Sequence, residues 1–138
     1  MMKFCMLLTT LTLSACSTSI SNSGPASAVP DNALHKVWQV LQINQTPPPT
    51  KLSVEFRRDG SFSTHGGCNR LFTGYTQNGN RLKFDSAMST LMACAADSRL
   101  METDDLAGEA VQHTRSYRIQ NNRLELLDEN GHVLLQAE

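Results

Sequence analysis

The sequence has no large surplus of either charge. Its 138 residues carry 12 Lys and Arg against 13 Asp and Glu, and the two signs are interspersed along the chain. Without a basic block, or basic residues interleaved with aromatic ones, binding to nucleic acid has no support. No acidic run indicates a disordered tail. The composition therefore favours one domain of ordinary size with a neutral, solvated surface.

Long hydrophobic runs are also absent. The mostly apolar stretch from Phe4 to Leu13 covers ten residues. As a helix it would span about 15 Å, half of the roughly 30 Å of a bilayer core. One cation, Lys3, precedes it and small residues follow, which is the layout of a secretory signal peptide. We therefore predict that residues 1–15 are a signal peptide and not a membrane anchor.

The predicted signal ends in Leu13-Ser14-Ala15-Cys16, which resembles the lipobox of bacterial lipoproteins. In that family the signal is cut before the cysteine, whose sulfur and new amino group carry acyl chains such as palmitate. The resemblance therefore implies lipidation of Cys16. Ser17 stands where an aspartate would retain a lipoprotein in the inner membrane, which implies an outer-membrane location facing the periplasm. The alternative is an ordinary signal peptide with a chance cysteine near its cut site.

Residues 16–32 predict a lipidated start followed by a flexible tether. They are rich in Ser, Asn, Ala, Pro and Gly, with Ile20 and Val29 as their large aliphatic side chains. Such a segment buries too little apolar area to offset the entropy lost on ordering. The folded domain is expected over residues 33–138.

Cysteines are few, and their number is informative. Of the four, Cys5 leaves with the signal and Cys16 carries lipid, so Cys68 and Cys94 remain in an oxidising compartment. We predict a disulfide between them, which would stabilise the fold by about 3.5 kcal/mol in the chain-entropy model. No Cys-x-x-Cys motif is present, so a fixed crosslink is favoured over a redox pair.

From residue 33 onward, short alternating segments separated by turn residues predict strands. Asp59-Gly60 and Asn78-Gly79 are typical of hairpin turns. The eight expected strands are Val37–Ile43, Leu52–Phe56, one through Phe62, Phe72–Thr76, Arg81–Phe84, Tyr117–Ile119, Leu124–Leu126 and Val133–Leu135.

One segment follows a helical period. Asp97 to Thr114 predicts an amphipathic helix capped by Asp97, with acidic residues toward its start and a weak point at Gly108. The residues expected on its apolar face are Leu100, Met101, Leu106, Ala107, Ala110 and Val111. The predicted fold class is α+β, a compact, strongly curved, mainly antiparallel sheet of about eight short strands with one helix packed against it.

Two segments, each containing one of the two remaining cysteines, resemble the motifs of a known protein family. Gly67-Cys68-Asn69-Arg70 with Gly74 and Tyr75, then Ser89-Thr90, Met92-Ala93-Cys94 and Glu102, resemble the META domain family, and within it the HslJ-like heat-shock lipoproteins. Trp38 and the closing strands also fit, so the resemblance covers about Leu34 to Ala137. Met101 and Leu106 depart from it, because an aromatic residue is expected in the helix.

The resemblance implies a small envelope domain tied to stress or drug tolerance, without an established enzymatic activity, and with a Cys68–Cys94 disulfide. The family-motif residues that it assigns are Gly67, Cys68, Asn69, Arg70, Gly74, Thr90, Met92 and Cys94.

Catalytic and metal-binding roles have weaker support from the sequence. Cys68 with His65 would be a nucleophile and its base, although the oxidising compartment favours pairing with Cys94. Five soft ligands would suit cuprous copper, although methionines beside a helix usually fill a core: Met88, Met92, Cys94, Met101 and His113. Zinc-ligand spacing, a Gly-x-Ser-x-Gly elbow and a phosphate loop are all absent from the sequence. We expect no enzymatic activity, no cofactor and no metal.

The function predicted is that of a non-enzymatic, lipid-anchored envelope protein that binds or stabilises a partner and supports stress or antibiotic tolerance. A curved sheet covered by a helix can leave an apolar groove for a peptide edge or a lipid chain. Expected partners are the membrane, through the lipid, and an unidentified envelope protein, peptide or lipid, but no nucleic acid. One alternative is an assembly or pilot lipoprotein that binds a segment of another outer-membrane component. A weaker one is a thiol enzyme using Cys68.

Overall fold

The computed structural model describes residues 32–138. The predicted signal peptide, Cys16 and the tether up to residue 31 lie outside the described residues. The elements are β1 (Val37–Ile43), β2 (Ser53–Phe56), β3 (Ser61–His65), β4 (Leu71–Asn78), β5 (Arg81–Phe84), β6 (Met88–Ser89), α1 (Ser98–His113), β7 (Ser116–Gln120), β8 (Arg123–Leu127) and β9 (Val133–Ala137).

Eight of these strands form a closed ring of antiparallel pairs. The order around the ring is β1, β2, β3, β4, β5, β7, β8 and β9, and β9 returns to β1. The expected curved sheet of about eight strands with one helix is confirmed, and its curvature is complete enough to make a barrel.

The ring is not equally tight everywhere. β7 and β8 share five residue pairs, whereas β5 and β7 share only Arg81↔Ser116. β6 lies outside the ring and pairs with the start of β4 at Leu71 and Phe72. The sequence did not predict β6, because two residues are too short for an alternating pattern to be visible.

β4 changes partner halfway along its length. Phe72 to Gly74 pair with β3, and Tyr75 to Asn78 pair with β5. At the change, the Gly74 carbonyl accepts a hydrogen bond from the Asp85 amide at 2.9 Å. A Cβ at Gly74 would lie 2.4 Å from Asp85 Oδ2. The motif glycine at this position therefore permits the close approach of residue 85.

Alternation along the strands fills the core with large side chains. Trp38, Phe56, Phe62 and Tyr117 are almost fully buried. The Trp38 indole Nε1 donates to the Leu34 carbonyl at 3.0 Å, so this buried donor is satisfied. Phe62 contacts Phe56 edge to face at 4.8 Å between ring centroids. The domain is thus held by one aromatic-rich core.

The predicted helix is confirmed, with Asp97 as its N-cap and Thr114 as its C-cap. The Asp97 carboxylate accepts from the Arg99 amide at 3.1 Å. The helix passes through Gly108 without a break. Its first turn contains no acidic residue, so the acidic residues expected toward its start begin one turn later. Among residues 32–138, no helix is long and apolar enough to cross a bilayer.

Fewer of the predicted apolar side chains of the helix are buried than expected. Ala107, Ala110 and Val111 are buried, but Met101 is exposed and lines a groove beside the helix. Thr103, which the hydrophobic pattern passed over, is fully buried. Its hydroxyl donates to the Arg99 carbonyl at 2.8 Å and lies 2.8 Å from the Thr50 hydroxyl. A hydrogen-bonded hydroxyl therefore occupies a core position that the predicted apolar face did not include.

Candidate functional site

The two motif segments lie side by side and are joined covalently. Cys68 follows β3 and Cys94 precedes α1, and the structure contains the predicted disulfide between them, with Cα atoms 5.9 Å apart. Because each sulfur is bonded to the other, neither is present as the thiolate that nucleophilic catalysis requires.

The Asn69 side chain bonds the two segments at three points. Its Oδ1 accepts from the Met92 amide at 2.6 Å and from the Thr90 hydroxyl at 3.0 Å. Its Nδ2 donates to the Met92 carbonyl at 3.3 Å. The amide therefore satisfies both polar groups of one backbone residue, which requires a donor and an acceptor together.

Arg70 contributes to the junction through its backbone. Its amide donates to the Thr90 hydroxyl at 3.0 Å, and its carbonyl accepts from the Thr90 amide at 3.1 Å. The guanidinium lies 5.8 Å from the centroid of the Phe72 ring and is exposed to solvent. The charged side chain is thus on the surface, next to the motif but not part of its internal bonding.

Asp104 completes the junction, and sequence reasoning missed it. Its Oδ2 accepts from the Asn69 amide at 2.7 Å. A Cβ at Gly67 would lie 1.7 Å from Asp104 Oδ1, so the carboxylate occupies space that only glycine leaves free. Glu102, which the family resemblance singled out, is exposed. Asp104 lies one helical turn beyond Leu100, whose carbonyl accepts from the Cys68 amide at 3.4 Å.

Exposed apolar side chains gather around this junction. Residues 32–138 contain six large apolar side chains that are clearly exposed, and five of them form what we call the apolar patch: Phe72 at 37 %, Met88 at 72 %, Leu91 at 98 %, Met92 at 61 % and Met101 at 44 % exposure. The sixth, Val37, lies in β1. Isolated exposed apolar residues are ordinary, but a contiguous group marks an interaction surface.

A groove of about 490 Å³ lies between α1 and the segment 89–91. We call it the helix groove. Leu71, Leu91 and Met101 contribute apolar lining, and Asp105 and Glu109 contribute carboxylates. A smaller hollow of about 350 Å³ adjoins it over the disulfide. The patch and the groove together make the candidate binding surface.

Ser63, His65 and Glu55 do not form a serine triad. His65 Nε2 lies 3.0 Å from the Ser63 hydroxyl and 3.4 Å from Glu55 Oε2. A serine triad needs the acid on the opposite ring nitrogen from the serine, and here both contacts use the same nitrogen. Ser63 is also buried, and a hydrogen bond from Arg57 lowers the pKa of Glu55. The cluster therefore has the geometry of a structural bond network.

Two of the five soft-metal ligands considered from sequence, His113 and Cys94, are not available to a shared site with the methionines. His113 lies twelve residues beyond Met101 on α1, a separation of about 18 Å along a helix. Cys94 is bonded to Cys68. Within the described part of the chain, no group of three His, Cys, Asp or Glu side chains is placed to hold a metal ion.

A family model described as the META domain matches residues 31–138. Solved structures with the same fold include a protein of the DUF4847 family from Bacteroides vulgatus, which is 13 % identical with a TM-score of 0.55, over 75 % of this chain and 92 % of that one. A protein from Burkholderia xenovorans is 20 % identical with a TM-score of 0.52, over 79 % and 90 %. Identities this low show the fold alone. No curated protein matches this chain significantly.

Proposed function

The chain belongs to the META domain family, and from this premise we propose that it is a non-enzymatic, lipid-anchored envelope protein with an HslJ-like role. In this role it binds a partner and supports tolerance of heat, oxidative or antibiotic stress. The observation that carries the proposal is the apolar patch, in which five of six exposed large apolar side chains surround one disulfide-linked junction. Such a concentration suits a binding surface.

The bonds of the motif residues support this proposal, because they fix the conformation of the exposed segment. The Asn69 side chain bonds to Thr90 and Met92, and its own amide donates to Asp104, which lies against Gly67. These bonds fix the segment that carries the exposed Leu91 and Met92. Holding an apolar segment in one conformation lowers the entropy lost on binding, so the motif prepares the surface for a partner.

The anchor is tested by replacing Cys16. In cells grown with an alkyne-tagged palmitate, the wild-type chain is expected to become labelled and to sediment with the outer membrane. Cys16→Ala is expected to lose both the label and the membrane association. Cys5→Ala, in the predicted signal, is the matched control and is expected to retain both. Equal labelling of Cys16→Ala and wild type would contradict the lipid anchor.

The physiological role is tested in a deletion strain under heat, peroxide and envelope-targeting antibiotics. Complementation with the wild-type chain is expected to restore growth, and Leu91→Ser is expected to restore it poorly while folding normally. Val37→Ser removes an exposed apolar side chain outside the patch and is expected to complement fully. A deletion strain that grows normally under every stress would contradict the proposal.

A second candidate is an assembly or pilot lipoprotein. It is favoured by β6, which pairs only with β4 among the described strands and therefore has an open edge beside the patch. Open edges accept extended segments of other chains. A single outer-membrane protein that co-purifies in equal amount with the wild type, but not with Leu91→Ser, would favour this role.

A further inference from the structure

We propose that the helix groove binds an extended cationic peptide segment in which Lys or Arg side chains flank an apolar one. The inference names the site and the partner class of the binding function proposed above, and in that respect rests on it.

The shape and apolar lining of the groove suit one extended segment. Its volume of about 490 Å³ lies between a helix and the extended residues 89–91. Leu71, Leu91 and Met101 provide apolar contacts for a side chain of the partner. Gly108 also lines the groove.

One wall of the groove also includes part of a strand that has a single partner within the described residues. Ser89 lines the groove and belongs to β6. Within residues 32–138, β6 pairs with β4 alone. An extended segment lying along this wall is therefore beside an open strand edge, and strand addition places alternate side chains toward the groove.

The charge of the groove selects the partner. Asp104, Asp105 and Glu109 line it, whereas no Lys, Arg or His does. Asp105 and Glu109 are four residues apart on α1, so they lie on the same side of the helix, and neither is in an ion pair with a residue of the described region. Complementary charge therefore favours a cationic partner. The same carboxylates repel an anionic bilayer surface, which makes a lipid surface the less suitable occupant.

The tether of the same chain does not have the required charge. Residues 16–31 contain Asp31 but no Lys or Arg. The two large aliphatic residues, Ile20 and Val29, are not flanked by cations. The charge complementarity thus indicates a separate chain.

The experiment uses the full chain in phosphatidylcholine nanodiscs, with empty nanodiscs as the blank. The probe is a fluorescent, end-blocked pentapeptide, Lys-Ser-Leu-Ser-Lys, and its matched control is Glu-Ser-Leu-Ser-Glu. Fluorescence anisotropy is expected to show the Lys peptide binding at least about tenfold more tightly. Raising the ionic strength from about 0.05 M to about 0.5 M should weaken it several-fold, because the charge pairs are near the surface.

Substitutions in the helix groove test whether the peptide binds there. The double variant Asp105→Asn/Glu109→Gln and the single variant Leu91→Ser are each expected to weaken binding of the Lys peptide about five- to tenfold. Glu129→Gln removes an exposed carboxylate outside the groove, and Val37→Ser removes an exposed apolar side chain outside it. Both controls are expected to bind as the wild type does. Thermal unfolding of each variant verifies that the fold is retained.

Several outcomes would overturn the inference. The first is equal affinity for the Lys and Glu peptides, and the second is a loss of Lys-peptide affinity in the control variants as large as in the groove variants. The others are Leu91-dependent binding to phosphatidylglycerol vesicles in place of the peptide, and Leu91-dependent self-association. If the peptide does not bind but Leu91→Ser still abolishes stress tolerance, the partner class is wrong and the proposed function stands. If the deletion strain has no phenotype, the proposed function itself fails, whatever the peptide does.

Discussion

Asn69 shows how a single side chain can hold a surface segment in place. It makes three side-chain hydrogen bonds to Thr90 and Met92, and its backbone amide donates to Asp104. Because the site is half-buried, water replaces part of what is lost when the side chain is removed. The contribution of the residue is therefore smaller than three full hydrogen bonds would give.

We predict that Asn69→Ala lowers the free energy of unfolding by about 1–2 kcal/mol, since three hydrogen bonds are lost and the Met92 backbone loses its partners. Equilibrium urea denaturation measures the change. Asn80→Ala is the control, because Asn80 is exposed in the connection between β4 and β5, and no loss is expected there. Equal losses in the two variants would show that the Asn69 bonds do not stabilise the fold.

The sequence predicted part of this site. The family resemblance assigned Gly67 and Asn69 to the motif, and the cysteine count indicated the crosslink. Asp104 was not predicted, because it lies 35 residues from Asn69 and no local pattern reports a contact across that distance. The family resemblance named Glu102 in its place, two positions away on the same helix.

At the scale of the elements, α1 contains a glycine that the helix does not require. Gly108→Ala is expected to raise the free energy of unfolding by up to about 1 kcal/mol, because alanine has the higher helix propensity. The new methyl group would meet only Leu71 at 3.9 Å, an ordinary contact distance. The change in Tm by calorimetry measures the effect.

Gly67→Ala is the matched control for this substitution. The same added methyl group would lie 1.7 Å from Asp104 Oδ1 and is expected to destabilise the domain by displacing that carboxylate. If both variants were stabilised, the close approach of Asp104 to Gly67 would be wrong.

The start of α1 makes stability depend on pH. A side-chain hydrogen bond from Arg99 holds the pKa of Asp97 below its usual value of 3.8. The unfolded chain therefore binds this proton more readily than the folded one. The stabilisation is complete well above about pH 4 and is lost as the pH falls through the lower pKa of the folded state.

Asp97→Asn is expected to keep an N-capping oxygen but to remove this titration. Its stability should therefore fall less than that of the wild type between pH 5 and about pH 2. Urea midpoints measured at the two pH values check this. A loss in Asp97→Asn equal to that of the wild type would mean that Asp97 does not contribute to acid sensitivity.

Element prediction succeeded where local patterns were long enough. Val37–Ile43 and Arg81–Phe84 were predicted with their observed limits, because alternation and flanking turn residues define both. The cap at Asp97 was predicted from its position before a helical period. Met88–Ser89 was not predicted as a strand, because its partners in β4 are distant in sequence and only pairing with them makes it extended.

At the scale of the whole molecule, the disulfide joins the barrel to the start of the helix. We predict that the double variant Cys68→Ala/Cys94→Ala loses about 3.5 kcal/mol of unfolding free energy, as expected for closing a loop of this length. Urea denaturation of the variant, with the reduced wild type as its comparison, measures the loss. If the double variant and the reduced wild type lose the same unfolding free energy, the loss is due to the missing crosslink. If the oxidised wild type is no more stable than these two proteins, the prediction is contradicted.

Closure of the barrel was beyond what the sequence could predict. Alternation in β1 and β9 indicates which side chains of each strand face a core. It does not indicate that the two strands are neighbours, since the pairs Val40↔Ala137 and Ile43↔Leu135 join residues almost a hundred positions apart. A curved sheet was therefore predicted, and its completion into a ring was found only in the structure.

The position of β9 between β1 and β8 determines when the domain can fold. While the chain emerges from a ribosome, β1 and β8 have no common neighbour until residues 133–137 are released. The earlier strands are then left with open edges and an exposed core, because the contact that joins the two sides of the ring is the last to become available. Closure of the ring therefore cannot precede the release of residues 133–137.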